Sequence, residues 1–194
     1  MPGKGKIFVI SGPSGSGKTT LLENLIQDRA LKKKLVRSIS FTTRPRRSRE
    51  KDKRDYFFIN EEAFRAKRKA KKILEWTRYL GYYYGTSKEF VESGLKKGKN
   101  LILCLDARGV ASMRGLYPDN TVTIFVRPPS LEELKMRISK RCRKTNKEEI
   151  SRRLIVAKSE MREARGYDYS LMNKDLSKTT LELKHIVLQE VTST

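Results

Sequence analysis

The residues of this chain best suited to chemistry are the eight from Gly12 to Thr19, which read GPSGSGKT. They follow the apolar run Ile7–Ile10 and precede a helix-like run, so the local order is strand, glycine loop, helix. The spacing G-x-x-x-x-G-K-T is typical of a loop whose backbone N–H groups surround phosphate oxygens. A lysine at this position reaches the terminal phosphates, and the hydroxyl of the next residue can bind Mg²⁺.

The loop therefore predicts a nucleotide-phosphate site, with Lys18 also catalytic and Thr19 as the metal-binding residue. The predicted phosphate-binding residues are Gly12, Ser14, Gly15, Ser16, Gly17, Lys18, Thr19 and Thr20. The loop alone does not distinguish an ATPase, a GTPase, a kinase or a motor.

Four further phosphate-type donors lie along the chain: Arg44, Arg47, Tyr56 and Tyr84. Guanidinium groups bind phosphate through two parallel hydrogen bonds, and tyrosine hydroxyls can complete its shell. Glu75 lies on a predicted strand, and one carboxylate can accept from both the N1–H and the 2-amino group of guanine. Adenine lacks this donor pair and would leave polar groups unpaired. Taken alone, Glu75 is also consistent with an ordinary carboxylate at a strand edge.

Basic residues recur on two later helix-like segments. Arg137 and Arg141 are four residues apart and share a helical face, and Arg152 and Arg153 follow on the next segment. These arginines could neutralise charge on a transferring phosphoryl group, or could form a solvated basic face. Asp106 ends a continuously apolar strand, where it could hold a Mg²⁺-bound water or the acceptor nucleotide, or serve as a turn carboxylate.

Apolar strands alternate with helix-like segments along the chain, which predicts an α/β fold with a parallel sheet and helices on both faces. One strand is expected at residues 36–41, another at 55–59, and a helix at 107–116. Residues 37–88 and 130–156 break the alternation and are interpreted as insertions. The core then consists of residues 1–36, 89–129 and 157–194.

Composition limits the remaining possibilities. The chain has 194 residues, is 37% apolar, and contains no apolar stretch long enough to span a membrane. Two cysteines make no disulfide framework, so we expect a cytoplasmic protein. As a separate expectation, the protein is a monomer or a small homo-oligomer. The net charge of +22 indicates a solvated basic surface or, as an alternative that no motif supports, a nucleic-acid partner.

Seven short runs, taken together and in order, resemble the guanylate kinases, a family of P-loop nucleoside monophosphate kinases. The runs are residues 12–19, 38–47, 55–56, 74–76, 83–86, 105–106 and 128–130. The resemblance extends over residues 6–188, and the runs TTRPRR and YYGT are specific to that family. It implies Mg²⁺-dependent transfer of the γ-phosphoryl group of ATP to GMP. It also implies a GMP-binding insertion at 37–88 and a helical lid at 130–156.

The resemblance also implies a role for individual residues. The residues implied to touch guanine are Ser40, Glu75, Thr86 and Asp106. The residues implied to hold the GMP phosphate are Arg44, Arg47, Tyr56 and Tyr84, with Arg44 also catalytic. The lid would supply the catalytic arginines Arg137, Arg141 and Arg153, and Asn173 would lie near the adenine of ATP.

The chain departs from the family pattern at three places. Arg49 and Lys53 replace glycines usual in the loop after Arg47, and Cys104 replaces a carboxylate. The lid begins with Arg141-Cys142-Arg143 in place of Arg-Gly-Thr. An alternative function is a phosphopeptide-binding module similar to this family. Such modules typically lose the phosphate loop, which is intact here.

Overall fold

The structure, a computed structural model, describes residues 5–48, 50–141 and 147–192. Arg49 lies outside these ranges, as do Cys142 and the four residues after it in the predicted lid. The elements in chain order are β1 (Ile7–Ser11), α1 (Lys18–Gln27), β2 (Leu35–Arg37), β3 (Phe41–Thr42), β4 (Phe57–Phe58), α2 (Glu61–Lys69), β5 (Ile73–Tyr79), β6 (Tyr82–Ser87), α3 (Lys88–Lys96), β7 (Asn100–Cys104), α4 (Ala107–Leu116), β8 (Thr121–Arg127), α5 (Leu131–Arg141), α6 (Lys147–Arg162), a 3-10 turn (Glu163–Gly166), β9 (Tyr169–Met172) and α7 (Leu176–Thr192). Within the described ranges, none of the helices is both long and apolar enough to cross a membrane.

Five strands form a parallel sheet in the order β2-β7-β1-β8-β9. Helices α1 and α7 cover one face, where Phe8 and Ile10 are buried. Helices α3 and α4 cover the other face, where Ile7 and Val9 are buried. Because both faces are covered, β1 is apolar at successive positions and does not alternate. The predicted α/β fold, with a parallel sheet and helices on both faces, is confirmed.

A second sheet, in the order β4-β3-β6-β5, is formed by strands between residues 41 and 87. β5 and β6 form a hairpin whose turn residues, Leu80 and Gly81, have φ values of 49° and 88°. Two successive positive φ values are those of a type I′ turn, which matches the twist of paired strands. Helix α2 packs on one face of this sheet through Phe64, which is stacked on the ring of Tyr83 and contacts Gly85.

The expected single strand at residues 36–41 is wrong, because the structure divides it between the two sheets. Arg37 of β2 is paired with Ile102 of β7, whereas Phe41 of β3 is paired with Phe57 of β4 and with Gly85 of β6. The alternating pattern of the sequence continues through both strands, but their pairing partners change. Local pattern carries no information on the partner, so the crossing from one sheet to the other was missed. The strand expected at 55–59 is likewise shorter and covers only Phe57–Phe58.

Helices α5 and α6 form a small apolar cluster separate from the two clusters of the core sheet. Leu134 and Ile138 of α5 are buried against Ala157 of α6. A Cβ built on Gly15 would lie about 3 Å from the side chains of Leu134 and Ile138. This helix pair therefore packs directly on the glycine loop.

Candidate active site

The glycine loop joins β1 to α1, and two of its positions require glycine. Gly12 has a φ of 131°, and a Cβ there would lie 2.2 Å from the carbonyl oxygen of Val126. Gly17 has a φ of 99°, and a Cβ there would lie 2.2 Å from the side-chain nitrogen of Asn173. Backbone conformation and lack of space therefore both exclude larger residues.

Helix α1 begins directly behind this loop without a capping side chain among the described residues. By contrast, Asn60, Ser87 and Asp106 each accept a hydrogen bond from an N–H of the first turn of α2, α3 or α4. The first N–H groups of any helix need an acceptor from outside the helix. At α1 no described side chain supplies this acceptor, as expected of a site where a phosphate takes that place.

Lys18 begins α1 and lies against the loop. Its Nζ donates to the carbonyl oxygen of Gly12 and to that of Pro13, the latter at 2.9 Å. The backbone N–H of Ser16 also donates to the Pro13 carbonyl, at 3.0 Å. Backbone carbonyl oxygens therefore hold the ammonium group at the loop. A bound phosphate could take their place as its hydrogen-bond acceptor.

A second wall of the same cleft brings together the four predicted phosphate donors of the insertion. The guanidinium carbon of Arg44 lies 5.7 Å from the centre of the Tyr56 ring, and the rings of Tyr56 and Tyr84 are 5.9 Å apart. Arg47 lines the cleft with them. Burial raises the pKa of Tyr56 to about 12, so its hydroxyl remains a hydrogen-bond donor at neutral pH.

Glu50, which the sequence analysis did not single out, lies between the two arginines. Its carboxylate accepts from Nη2 of Arg44 at 2.7 and 2.9 Å and from the backbone N–H of Arg47 at 2.9 Å. Burial alone would raise the pKa of Glu50, but hydrogen bonds from Arg44 and Arg47 outweigh burial and lower it. The two arginines therefore already bind one anionic group. The regular three-residue spacing of Arg44, Arg47 and Glu50 is the sequence signal that could have identified Glu50.

Glu75 and Thr86 face each other across the β5–β6 hairpin. The Thr86 hydroxyl donates to Oε1 of Glu75 at 2.5 Å. Burial raises the pKa of Glu75 to about 7, the hydrogen bond from Thr86 opposes the shift, and the charge of Asp106 adds to it. Asp106 caps α4 through Oδ1, which accepts from the N–H of Gly109 at 2.9 Å. Asp106 therefore has the structural role considered as an alternative, and it also lines the cleft.

One cleft of about 900 Å³ connects these groups, a volume in the range of ligand-binding pockets. The predicted residues that line it are Gly12, Ser14, Gly15, Gly17, Lys18, Thr19, Thr20, Ser40, Arg44, Arg47, Tyr56, Glu75, Tyr84, Asp106 and Arg153. A phosphate loop of the core and an anion site of the insertion thus share one cavity.

Known proteins are similar to almost the whole chain. The family model described as guanylate kinase matches residues 4–190. The chain belongs to the guanylate kinase family. The guanylate kinase of Mycoplasma genitalium is 41% identical over 187 residues, covering 96% of this chain and 77% of that protein. The guanylate kinase of Thermotoga maritima is 41% identical over 188 residues, covering 96% and 88%.

A solved structure agrees with these relatives. The crystal structure of guanylate kinase from Anaplasma phagocytophilum has a TM-score of 0.77 and 31% sequence identity, covering 96% of this chain and 86% of that one. The chain is therefore an enzyme of the guanylate kinase family.

Four residues predicted for a guanylate kinase site do not line the cleft: Ser16, Thr86, Arg137 and Asn173. Nδ2 of Asn173 donates to the carbonyl oxygen of Ser16 at 2.7 Å and so supports the loop. Arg137 donates to the carbonyl oxygen of Asn173 at 3.1 Å and forms an ion pair with Glu133 at 2.9 Å. Arg137 thus contacts the residue that supports the loop. The side chain of Arg141 lies outside the described structure.

Arg153 is the predicted lid arginine that reaches the loop. Its Nη1 donates to the Ser14 hydroxyl at 3.3 Å, and the residue is only 9% exposed. Arg152, also a sequence candidate, lines the cleft beside it. The other charged or phenolic side chains that line the cleft and were not assigned to it are Glu23, Arg37, Glu50, Arg54, Asp55, Tyr79, Tyr82, Glu148 and Glu160.

Arg37 illustrates why such residues were missed. It lies 3.8 Å from Asp55 of the insertion and 4.0 Å from Glu23 of α1, so it bridges the core and the insertion. Its partners are distant in sequence, and no local motif indicates the bridge.

Cys104, where the resemblance implies a carboxylate, lines the cleft. Burial raises the pKa of its thiol to about 11, while the positive charges of Lys18 and Arg37 act in the opposite direction. The thiol is therefore neutral at physiological pH and adds no negative charge to this wall of the cleft.

Proposed function

We propose that the enzyme transfers the γ-phosphoryl group of ATP to GMP, and also to dGMP, with formation of ADP. The bond between the γ-phosphorus and the β-phosphate oxygen breaks, and a bond to a phosphate oxygen of the acceptor forms in line with it. The observation that carries the proposal is the presence of a phosphate loop and an arginine–tyrosine anion site in one cleft. A simple ATPase needs the first of these, whereas a monophosphate kinase needs both.

The proposed donor site is the glycine loop with the start of α1. Its backbone N–H groups and helix terminus would hold the phosphates of ATP. Lys18 would exchange the carbonyl oxygens of Gly12 and Pro13 for phosphate oxygens, whose negative charge makes them stronger acceptors for an ammonium group. The lid arginines Arg137, Arg141 and Arg153 would neutralise charge on the transferring group, and Asn173 would lie near the adenine.

The proposed acceptor-phosphate site is the cluster of Arg44, Arg47, Tyr56 and Tyr84. The contacts of Glu50 with the Arg44 guanidinium and the Arg47 backbone N–H support this assignment, since one carboxylate already lies against both residues. A phosphate carries more charge and more acceptor oxygens than a carboxylate. It would therefore compete with Glu50 for the guanidinium groups. The tyrosine hydroxyls would donate further hydrogen bonds to its oxygens.

The proposed guanine site is built around Glu75. Its buried carboxylate would accept from N1–H and the 2-amino group of guanine, while Thr86 fixes its orientation. Adenine would leave these buried groups unpaired, which costs more than the loss of a favourable contact. Ser40 and the second oxygen of Asp106 would complete the contacts to the base.

Magnesium is the proposed metal cofactor, and the residues present fit it. Mg²⁺ is usually bound through substrate phosphates, waters and only one or two protein oxygens. Thr19 lines the cleft at the loop and offers such an oxygen. The described ranges contain no group of three or more His, Cys, Asp or Glu that could hold a metal ion. When bound, the ion would supply positive charge to the phosphates.

The reaction needs no general base, because the acceptor phosphate is already ionised at neutral pH. The contribution of the protein would be positioning and charge stabilisation. Closure of residues 130–156 over the cleft would exclude water and prevent idle ATP hydrolysis.

The direct test measures ADP formation from ATP and Mg²⁺ with GMP, dGMP, AMP, CMP or UMP as acceptor. We expect activity with GMP and dGMP and little with the others. Activity with AMP would contradict the role of Glu75. Tight ATP binding without transfer to any acceptor would instead favour the phosphopeptide-binding alternative, which is checked by titration with a phosphoserine peptide.

A further inference from the structure

The second sheet has a face that points away from the cleft, and this face is basic and aromatic. Side chains alternate along β5, so Glu75 and Thr77 line the cleft whereas Trp76 and Arg78 lie on the opposite face. Both Trp76 and Arg78 are exposed, Trp76 by 43% of its surface. The ring of Tyr83, on the neighbouring strand β6, lies 5.7 Å from the Trp76 ring.

The positive charge of the chain is concentrated beside this face. Six of the eight residues from 65 to 72 are Lys or Arg, and none is acidic. Arg65 and Arg68 of α2 are exposed and share a helical face. Glu61 forms an ion pair with Arg65 at 2.5 Å, which leaves the neighbouring basic residues in large excess. Such a surface attracts polyanions, and the attraction is strongest at low salt.

Two guanidinium groups of this face lie over its rings. The guanidinium carbon of Arg68 lies 4.6 Å from the centre of the Trp76 ring, and that of Arg78 lies 5.6 Å from the centre of the Tyr83 ring. The ring quadrupole attracts a cation at these distances and so restricts the arginine side chain. Less side-chain entropy is therefore lost when an anion binds.

We infer that this basic aromatic face, formed by Arg65, Arg68, Trp76, Arg78 and Tyr83, binds single-stranded nucleic acid. Regularly spaced phosphates complement the arginines and the adjoining lysines. Unpaired bases can stack on exposed aromatic rings and on guanidinium planes, independent of sequence. A duplex offers only its backbone here, because its bases are already stacked. Single strands are therefore preferred over duplexes of equal charge.

This face is separate from the cleft in which phosphoryl transfer is proposed. None of its five residues lines that cleft. Binding of a polyanion to this face and the kinase reaction are therefore independent, and changes at Arg65 and Arg68 leave the kinase activity unchanged. Failure of one proposal does not affect the other.

The chain provides its own reporter for the test, since Trp76 is its single tryptophan. A labelled RNA of about 12 nucleotides is titrated with the full chain at low salt while anisotropy and tryptophan emission are recorded. We expect anisotropy to rise and Trp76 emission to fall along the same binding curve. We also expect a duplex of equal length to bind at least about threefold more weakly.

A matched pair of variants separates this face from the general charge. Arg65→Glu/Arg68→Glu alters the face, and Arg162→Glu/Arg165→Glu alters two exposed arginines of equal spacing on α6 and the turn after it. Both double variants change the net charge equally. We expect the first to weaken RNA binding at least about tenfold and to reduce the salt dependence, and the second to change affinity by less than about threefold. Because two glutamates near Glu61 could unfold α2, Arg65→Gln/Arg68→Gln serves as a milder form of the first.

Three outcomes would overturn the inference. The first is an equal loss of affinity in both Arg→Glu double variants. The second is a rise in anisotropy without any change in Trp76 emission, because the RNA would then bind elsewhere. The third is displacement of the RNA by poly-glutamate at equal charge concentration, with the same emission change, which would mark a surface for acidic polypeptides.

Discussion

The two walls of the cleft present different kinds of groups to a ligand. The core wall presents backbone: a loop with glycine in the left-handed region at Gly12 and Gly17, and the uncapped start of α1. The insertion wall presents side chains, among them Arg44, Tyr56 and Glu75, each held by a specific partner. A backbone wall recognises any phosphate chain, whereas a side-chain wall can discriminate between bases. We therefore expect changes to the first wall to abolish turnover and changes to the second to alter acceptor use.

Replacement of Lys18 by alanine gives the largest expected effect. It removes the one charged side chain that reaches from α1 to the loop carbonyls. Loss of such a charge at a transferring phosphoryl group costs about 10³-fold or more in kcat. The measurement is ADP formation with saturating ATP, Mg²⁺ and GMP.

The control for this variant is GMP binding, which we expect to be unchanged because Lys18 belongs to the other wall. A Lys18→Ala protein that keeps full turnover would contradict the phosphate-loop assignment. A parallel loss of GMP affinity would show that the two walls are not independent.

The same contrast explains what could be predicted from sequence. The core wall follows from eight contiguous residues, because a backbone site is formed by local conformation. Helix α4 was predicted over the residues it occupies, since its cap Asp106 and its apolar pattern are local too. The side-chain wall assembles residues from 44 to 106, and only the resemblance to a family connected them.

Residues whose role depends on distant partners were the ones missed. Glu50 is held by hydrogen bonds from Arg44 and Arg47, and Arg37 is held by ion pairs with Glu23 and Asp55. The break between β2 and β3 was missed for the same reason, since a strand does not encode its partner. Arg137, whose predicted role in neutralising charge stays a prediction, also contacts the carbonyl oxygen of Asn173, and no local motif indicates that contact.

Glu75→Gln gives the second-largest expected effect and tests the insertion wall. The amide presents a donor where guanine also presents donors, so we expect kcat/KM for GMP to fall about 100-fold. The KM for ATP should change less than about twofold, because the core wall is untouched. Glu62→Gln, at an exposed position on α2, is the matched control. Equal losses for both nucleotides would remove the assigned role of Glu75.

The same variant should also change stability with pH. The pKa of Glu75 is raised from 4.5 to about 7 by burial, so the folded chain keeps a proton that the unfolded chain loses. The stabilisation from this proton is full below the unfolded pKa and is lost as pH rises through about 7. Glu75→Gln lacks this dependence. Its free energy of unfolding, relative to that of the wild type, should therefore rise by at most about 3 kcal/mol between about pH 5 and about pH 8. Urea unfolding at both pH values measures it, and a constant difference would contradict the raised pKa.

Asn60→Ala gives the smallest expected effect. It tests whether the insertion wall depends on helix α2, which packs behind it. Asn60 caps α2 by accepting from the N–H of Ala63 at 2.8 Å, and α2 covers the sheet on the side away from the cleft. Its loss should lower the free energy of unfolding by about 1 kcal/mol. Asn60→Asp keeps the acceptor and serves as the control. If KM for GMP stays within about twofold in both variants, the wall acts through its own side chains. If it rises several-fold in Asn60→Ala alone, acceptor recognition also depends on the packing of α2 against Tyr83, and the two walls then differ in rigidity as well as in chemistry.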